Sequence, residues 1–256
     1  MEKYNNGNGP GTLYVIGTGP GARDHIIPAA IEAIERADTI IGYSTYLDLI
    51  EELLEGKEVI SSSMMKEVDR CRLSLEMAES GKSVALVSGG DAGIYAMAGL
   101  VLEMASQNDF QAEIKIIPGI AAVNACAARL GAPLMHDFAA ISLSDLLTPW
   151  ETIVARLEAT ASTDFVVALY NPKSKRRTAQ IAQAREIFLK HRDPANVVGI
   201  VTGATRENEV ITLTTLDKML ECEIGMQSTV IIGNSKTFVW RDKMITPRGY
   251  GEKYQL

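Results

Sequence analysis

Soft metal ligands are scarce in this chain: three cysteines and three histidines in 256 residues. Cys71, Cys126 and Cys222 are odd in number and far apart, with no C-x-x-C. His25, His136 and His191 show no ligand spacing. The sequence therefore offers no zinc or iron–sulfur site and no disulfide framework, and its metal complement is expected to be none. Scattered, reduced cysteines fit a cytoplasmic protein. Positive charge is also short. Lys and Arg number 25 against 32 Asp and Glu, a net charge of -7, whereas a nucleic-acid binder shows a basic footprint. An anionic small molecule held by a local basic patch stays compatible. No apolar run is long enough to span a membrane, and no signal peptide is expected. There is no internal repeat and no low-complexity tract, and the polar, glycine-rich Met1 to Gly11 is expected to fray.

The chain is 46% hydrophobic and 22% charged, an ordinary globular balance with enough length for one large or two modest cores. Its organising stretch is Thr12 to Gly21, TLYVIGTGPG. An apolar run, Leu13 to Ile16, reads as a buried strand emptying into a glycine-dense turn. Pro28 to Ala37 is expected as a helix, Thr39 to Ile41 as a strand, and Leu47 to Leu54 as a helix. Val59-Ile60 is a strand and Val68 to Ala78 a helix closed by Gly81. Ser83 to Val87 is a buried strand, followed by SGGDAGIY, a helix over Gly93 to Ala105 and a strand over Glu113 to Ile117. Strands alternating with helices at this spacing mean a parallel sheet, with the loops at Gly17 and Gly89 side by side at its carboxyl edge. Past Pro118 the rhythm changes. Helices are expected at Ile120 to Leu130, Pro149 to Ala159 and Lys175 to Lys190. Shorter strands are expected at Ala139 to Leu143, Asp164 to Leu169, Val197 to Val201, Val210 to Leu213 and Thr229 to Ile232. The fold class is thus α/β with two α/β domains, 12–118 with a mainly parallel sheet and 119–250 with a mixed sheet.

Ligands of open α/β sheets bind beyond the carboxyl ends of the strands. Gly17, Gly19 and Gly21 let the backbone approach one, and Pro20 stiffens the turn. Gly17, Gly19 and Ala22 also satisfy G-x-G-x-x-A, but a dinucleotide needs a helix N-terminus at the third glycine position. Here the helix starts at Pro28, and Asp38 precedes the second strand instead of ending it. A nicotinamide-dependent oxidoreductase is therefore the disfavoured alternative. In SGGDAGIY, Gly89 and Gly90 again admit a ligand, while Asp91 reads equally as a helix N-cap or as a ligand contact.

GTGPG, SGGDAGIY, PGIAA at Pro118 to Ala122, LYNP at Leu169 to Pro172 and VIIGN at Val230 to Asn234 form an ordered series that closely resembles the tetrapyrrole methylase family. The resemblance covers Thr12 to Tyr250. GYSTYLDLI at Gly42, HDFAAISLSDLLTPW at His136 and MITPRGY at Met244 look like the branch that methylates precorrin-3B at carbon 17, with relatives acting on cobalt-factor III. The resemblance implies two α/β domains with S-adenosylmethionine in the cleft between them. It also implies methyl transfer coupled to macrocycle contraction, in cobalamin biosynthesis, by a cytoplasmic homodimer. A non-catalytic tetrapyrrole carrier is a further alternative. One departure is Ala121, where many family members carry Thr or Ser.

Backbone at Gly89, Gly90, Ile94, Ala121 and Ala122 could enclose the methyl donor, which has no phosphate and needs no helix N-terminus. The resemblance adds Pro20, Asp91, Tyr170, Asn171, Gly203 and Asn234. For a polycarboxylate macrocycle the candidates are the turn glycines Gly17, Gly19 and Gly21, Tyr43 (with Tyr46) for stacking, Lys66 or Arg70, and Arg177 in the basic run Lys173, Lys175, Arg176 and Arg177. A solvated face and core packing are the plain alternatives for these. His136, Asp137 and Ser144 are the candidates for proton movement during contraction, with a structural histidine the plain alternative for His136.

Overall fold

A computed structural model describes residues 9–63 and 65–255, so the expected fraying of the N-terminus lies largely outside the described residues. The chain divides into two compact units, one ending at Ala122 and one beginning at Val123.

The first unit runs β1 (Thr12–Gly17), α1 (Pro28–Arg36), β2 (Thr39–Tyr43), α2 (Ser44–Asp48), β3 (Glu58–Ser62), α3 (Glu67–Glu79), β4 (Ser83–Ser88), α4 (Ala98–Gln107) and β5 (Glu113–Ile117). Its five strands are all parallel, in the order β3-β2-β4-β1-β5. Alternation along β1 divides the core. Leu13 and Val15 join Ile41, Val84 and Leu86 beneath Leu75 of α3 and Val101 of α4. Tyr14 and Ile16 join Ile40, Ala85 and Val87 beneath Ala30 and Ile34 of α1. Each fully buried Leu or Ile contributes roughly 1.5–3 kcal/mol. Helix α1 starts with Pro28 in its first turn, where a missing N–H costs nothing, and buries Ala30, Ala33 and Ile34 at helical spacing. Right-handed crossovers put α1 on one face and α4 on the other. The neighbouring strands β1 and β4 therefore send their chains to opposite faces, which opens a crevice at their carboxyl ends.

The second unit contains α5 (Ala122–Leu130), which starts on the last residue of the first, then β6 (Gly131–Ala132), β7 (Phe138–Ser142), α6 (Trp150–Ser162), β8 (Val166–Tyr170), α7 (Gln180–Leu189), β9 (Val197–Thr202), β10 (Val210–Thr215), β11 (Ser228–Ile232), β12 (Phe238–Trp240), β13 (Lys243–Ile245) and α8 (Tyr250–Lys253). Its main sheet, β10-β9-β11-β8-β7, is mixed: β7 and β8 are parallel and the other pairings antiparallel. Leu157 of α6 and Ile181 and Phe188 of α7 cover one face with Val167, Leu169, Val198, Ile200, Val230 and Ile232. Leu130 of α5 covers the other face over Gly199, where a Cβ would stand 2.5 Å from its Cδ1. Arg192 ties the unit together. Its buried guanidinium donates to the carbonyls of Thr160, Ala161, Phe165 and Gly233 and lies 4.7 Å from the Phe188 ring centre. Burial lowers its pKa.

Three expected helices are shorter than their apolar patterns. Leu47 to Leu54 is α2 followed by a 3₁₀ turn at Glu51–Leu53. Gly93 to Met97 is irregular, and α4 begins only at Ala98. Lys175 to Ala179 is likewise non-helical, because Ser174 and Arg177 close a turn on each other before α7. The small sheet of β12, β13 and β6 was not anticipated. Its strands are two or three residues long, too short to show a period.

Candidate functional site

In the first unit, three loops meet backbone against backbone at the β1–β4 crevice. Gly19 N donates to Gly90 O at 3.0 Å, and Gly90 N returns a bond to Gly19 O at 2.6 Å. Thr18 adds its N–H and hydroxyl to Ser88 O, at 2.9 and 3.1 Å. A Cβ on Gly17 would stand 2.6 Å from Gly90 O and 2.8 Å from Gly119 N; one on Gly119 would stand 2.2 Å from Gly90 O. Packing of three backbones is thus why Gly17 and Gly119 are glycine. Gly19 and Gly90 have φ of +78° and +70°, a region that favours glycine.

Asp91 caps no helix, since α4 starts seven residues later. Its Oδ1 accepts from Gly93 N at 2.8 Å and its Oδ2 from Gly119 N at 3.0 Å. The carboxylate is a strap joining the second loop to the third. Around this junction, Ala121 and Pro20 are buried, Ala122 and Gly21 half-buried, and Ile94 and Tyr95 exposed. A Cβ on Gly90 would stand in ordinary van der Waals contact with the third loop, 3.7 Å from Ala122 N and 4.0 Å from Ala121 Cα. Tyr46 lies against Gly89, where a Cβ would stand 2.6 Å from its ring. Tyr43 meets Tyr46 edge-to-face with centroids 5.5 Å apart. Lys66 is exposed and paired with Asp69 at 3.2 Å. Arg70 is buried and held by Ser62 Oγ, Ser63 O and Glu67.

The second unit has two separate polar sites, because antiparallel pairing fixes which strand ends share an edge. Ser142, Ser144, Tyr170, Asn171 and Gly203 lie at the edge where β7, β8 and β9 end. Tyr170 Oη accepts from Val123 N at 2.9 Å, holding the first turn of α5. Asn171, with φ of +49°, donates from Nδ2 to Ser142 Oγ at 3.0 Å. Arg177 bonds Asn171 O at 2.7 Å and Ser144 Oγ at 3.3 Å. Gly203 is buried with φ of +59°.

His136, Asp137 and Asn234 stand at the opposite edge, where β7 and β8 begin and β11 ends. There they line a cavity of about 500 Å³ with Asp164, Lys236 and Arg248. His136 and Asp137 are exposed, and His136 Nδ1 accepts from Asp137 N at 2.9 Å. The candidates of this unit therefore fall into two groups. His136 and Asp137 do not join Ser144 in one constellation, since strand β7 separates them by roughly 20 Å at about 3.3 Å per residue. Asn234 does not join Tyr170, Asn171 and Gly203; its side-chain oxygen accepts from Lys236 N and Thr237 Oγ1 and shapes a turn. Among the described residues no cluster of His, Cys, Asp or Glu could hold a metal ion. Thr18, Ser88 and Arg192 were missed as organising residues. Ser142, a candidate beside Ser144 in the same stretch, is paired in parallel register with Tyr170, a neighbour that sequence alone does not display.

Residues 12–220 match the model of the family Tetrapyrrole (Corrin/Porphyrin) Methylases. A protein of Priestia megaterium named cobalt-factor III methyltransferase is 53% identical over 96% of this chain, which spans 46% of that protein's length. A protein of Salmonella typhimurium named probable cobalt-factor III C(17)-methyltransferase is 46% identical over 93% of this chain and 99% of its own. The crystal structure of the methyltransferase CobJ superposes with a TM-score of 0.86 at 35% identity, over 94% of this chain and all of that one.

Proposed function

This chain belongs to the tetrapyrrole (corrin/porphyrin) methylase family and has its fold, and from that premise we propose that it moves a methyl group from S-adenosylmethionine to carbon 17 of cobalt-factor III or precorrin-3B, with contraction of the macrocycle, in cobalamin biosynthesis. The observation that carries this is the 46% identity along 99% of the Salmonella typhimurium protein of that name.

The junction of the first unit suits a donor without phosphate. Helix α1 begins only at Pro28, so it does not offer its N-terminus to the glycine turn at Gly17 to Gly21 as a dinucleotide fold requires. That feature also removes the basis for a nicotinamide site. The exposed Ile94 beside the glycine loops fits an adenosine bound by backbone groups. Ala121 supplies no hydroxyl, so its backbone does the work. Asp91 acts by holding Gly119 and hence the loop bearing Ala121 and Ala122. The sulfonium supplies the leaving group, and the protein's task is to align donor methyl and ring carbon. Arg177 and its basic neighbours suit the carboxylates of the ring. Ser144 beside Arg177, and His136 with Asp137 at the other edge, are separate candidates for proton movement; unchanged turnover in His136→Ala would remove the latter. Homodimerisation is supported by the wholly apolar, exposed strand Phe238 to Trp240. A cytoplasmic location fits the absence, among the described residues, of any helix long and apolar enough to cross a membrane.

The test is incubation with S-adenosylmethionine and either cobalt-factor III or precorrin-3B. The expected result is one equivalent of S-adenosylhomocysteine and a product heavier by one methyl group. Failure to bind S-adenosylhomocysteine, with or without the ring, would overturn the transferase in favour of a carrier.

A further inference from the structure

The cavity of about 500 Å³ where β7 and β8 begin and β11 ends is a strand's length from the edge that bears Tyr170, Asn171 and Gly203. It has the volume of a metabolite site, and its wall holds an uncommitted buried donor. Asn234 is only 5% exposed and lines the cavity, so what access it has is from there. Its Oδ1 accepts from Lys236 N at 3.0 Å and from Thr237 Oγ1 at 3.1 Å, which fixes the amide's orientation and leaves Nδ2 to donate. Nδ2 bonds no described residue, yet it is not sealed: the sealed, unbonded side-chain atoms of the described residues are Arg177 Nε and Gln180 Oε1. Buried polar groups are hydrogen-bonded as a rule, so Nδ2 is a donor kept for what enters the cavity. His136 offers a second. Its Nδ1 accepts from Asp137 N at 2.9 Å, so the ring N–H is at Nε2, where it too bonds no described residue.

The charges narrow the occupant. Lys236, Arg248, Asp137, Asp164 and Glu252 line this one cavity. Asp164 is spent, its oxygens accepting from Ser235 N at 2.8 Å and Ser235 Oγ at 2.6 Å. That leaves two cations, Lys236 and Arg248, and two carboxylates, Asp137 and Glu252. Among the described residues the one ion pair that any of the four makes is Asp137 with His136, at 3.7 Å. Elsewhere the chain pairs its exposed charges, as in Lys82 with Glu58 and Lys190 with Glu158. Here opposite charges share a cavity without meeting. A simple anion would be drawn by the cations and repelled by the carboxylates, and a simple cation the reverse. A molecule with one charge of each sign complements both sets.

We propose that this cavity binds a zwitterion of the amino-acid class, its carboxylate taken by Lys236, Arg248 and Asn234 Nδ2 and its ammonium by Asp137 and Glu252. The site goes beyond the methyl transfer proposed above and does not rest on it. The zwitterion could be a free amino acid, or the methionine end of S-adenosylmethionine or S-adenosylhomocysteine at a second, non-catalytic position; each presents the same pair of charges.

Calorimetry on the full chain separates these sources. The probes are S-adenosylhomocysteine and the common protein amino acids, the latter screened first by thermal shift. Any amino acid that binds is compared with its decarboxylated and its deaminated analogue. Wild type is set against Lys236→Ala and Arg248→Ala, both exposed side chains whose truncation spares the core. Loss of a charge-assisted hydrogen bond predicts about tenfold weaker binding or more in each variant. An amino acid weakened in this way, with neither analogue binding as well, assigns the site to a free amino acid. Two molecules of S-adenosylhomocysteine per wild-type chain and one per variant chain assign it to the donor's methionine end. A single S-adenosylhomocysteine that the variants lose would put it in this cavity and overturn the donor site proposed above. The zwitterion site is overturned if no amino acid binds and at most one S-adenosylhomocysteine binds, alike in all three proteins. It is overturned equally by amino-acid affinity unchanged in both variants, or by a singly charged analogue that binds as tightly as the zwitterion.

Discussion

Replacing Gly119 with alanine should disable the loop junction of the first unit while leaving the second unit intact. The added Cβ would stand 2.2 Å from Gly90 O and 2.6 Å from Gly17 O. A relaxed carbon–oxygen contact is roughly 1 Å longer, and the obstructing atoms are backbone, which cannot rotate away. Moving Gly90 O by that distance stretches its 3.0 Å bond from Gly19 N beyond hydrogen-bonding range. Overpacking costs about 1–3 kcal/mol and an orphaned buried group about 1–3 more, so we expect destabilisation of roughly 2–6 kcal/mol. A 1 Å misplacement of a site costs on the order of a hundredfold in rate, so methyl transfer should fall by about that much, and S-adenosylhomocysteine affinity should fall with it. Urea unfolding followed by far-ultraviolet circular dichroism reads the stability, and calorimetry the affinity. Both tryptophans, Trp150 and Trp240, lie in the second unit, so their fluorescence reports on that unit's own transition. Gly99→Ala is the matched control: no atom lies within 4 Å of its Cβ, it sits inside α4, and it should stabilise by about 0.5–1 kcal/mol. If Gly119→Ala unfolds and binds like wild type, the junction argument is wrong.

Three further outcomes follow from the geometry. Arg192→Leu strips the guanidinium from four carbonyls, of which Thr160 O keeps Phe165 N and Gly233 O keeps Asn196 Nδ2, and should lower stability by about 3–5 kcal/mol, read as an earlier tryptophan-fluorescence transition in urea; an unchanged midpoint would refute the hub. Burial pushes the Cys71 and Cys126 thiols up to about 11, so at pH 8 a thiol reagent should label Cys222 quickly and the other two only after unfolding; fast labelling of all three would count against that core. Lys190 and His191 bond Glu158 and hold its carboxyl below the ordinary 4.5. A depressed carboxylate contributes stability above its unfolded value that is lost as pH falls through the folded one. Glu158→Gln should therefore flatten the acid limb of the stability profile below about pH 4.5, and an identical limb would show the pair to be idle.

What the sequence displayed, it displayed through period and punctuation. The buried strands beginning at Leu13 and Ser83, the helix opening at Pro28 and the change of rhythm after Pro118 are all local signals. Facts that depend on pairing across the chain were not local. Asp91 read equally as a helix cap or as a ligand contact, and neither reading reveals its partner Gly119, 28 residues away. His136 and Ser144 fall in one continuous stretch and looked like neighbours, whereas a strand between them sends its two ends to opposite edges of a sheet. The glycines misled in a subtler way. Gly17 suggested an approaching ligand, and the structure puts Gly90 and Gly119 where that approach would be.

That substitution bears on how the family's glycine loops work. A glycine that admits a ligand can be tested only with the ligand, but one that admits another backbone fixes geometry before any ligand arrives. Gly17, Gly90 and Gly119 come from three loops, and their contacts are reciprocal backbone bonds and one carboxylate strap, with no flexible side chain among them. Such a junction has few soft degrees of freedom, so the loops beyond it, with Ile94 on one and Ala121 on another, are positioned by the sheet itself. Preorganisation of this kind lowers the ordering cost of binding. On the proposed function, Asp91 is already committed as the frame of the junction, and backbone groups are what the loops have left to offer a charged donor.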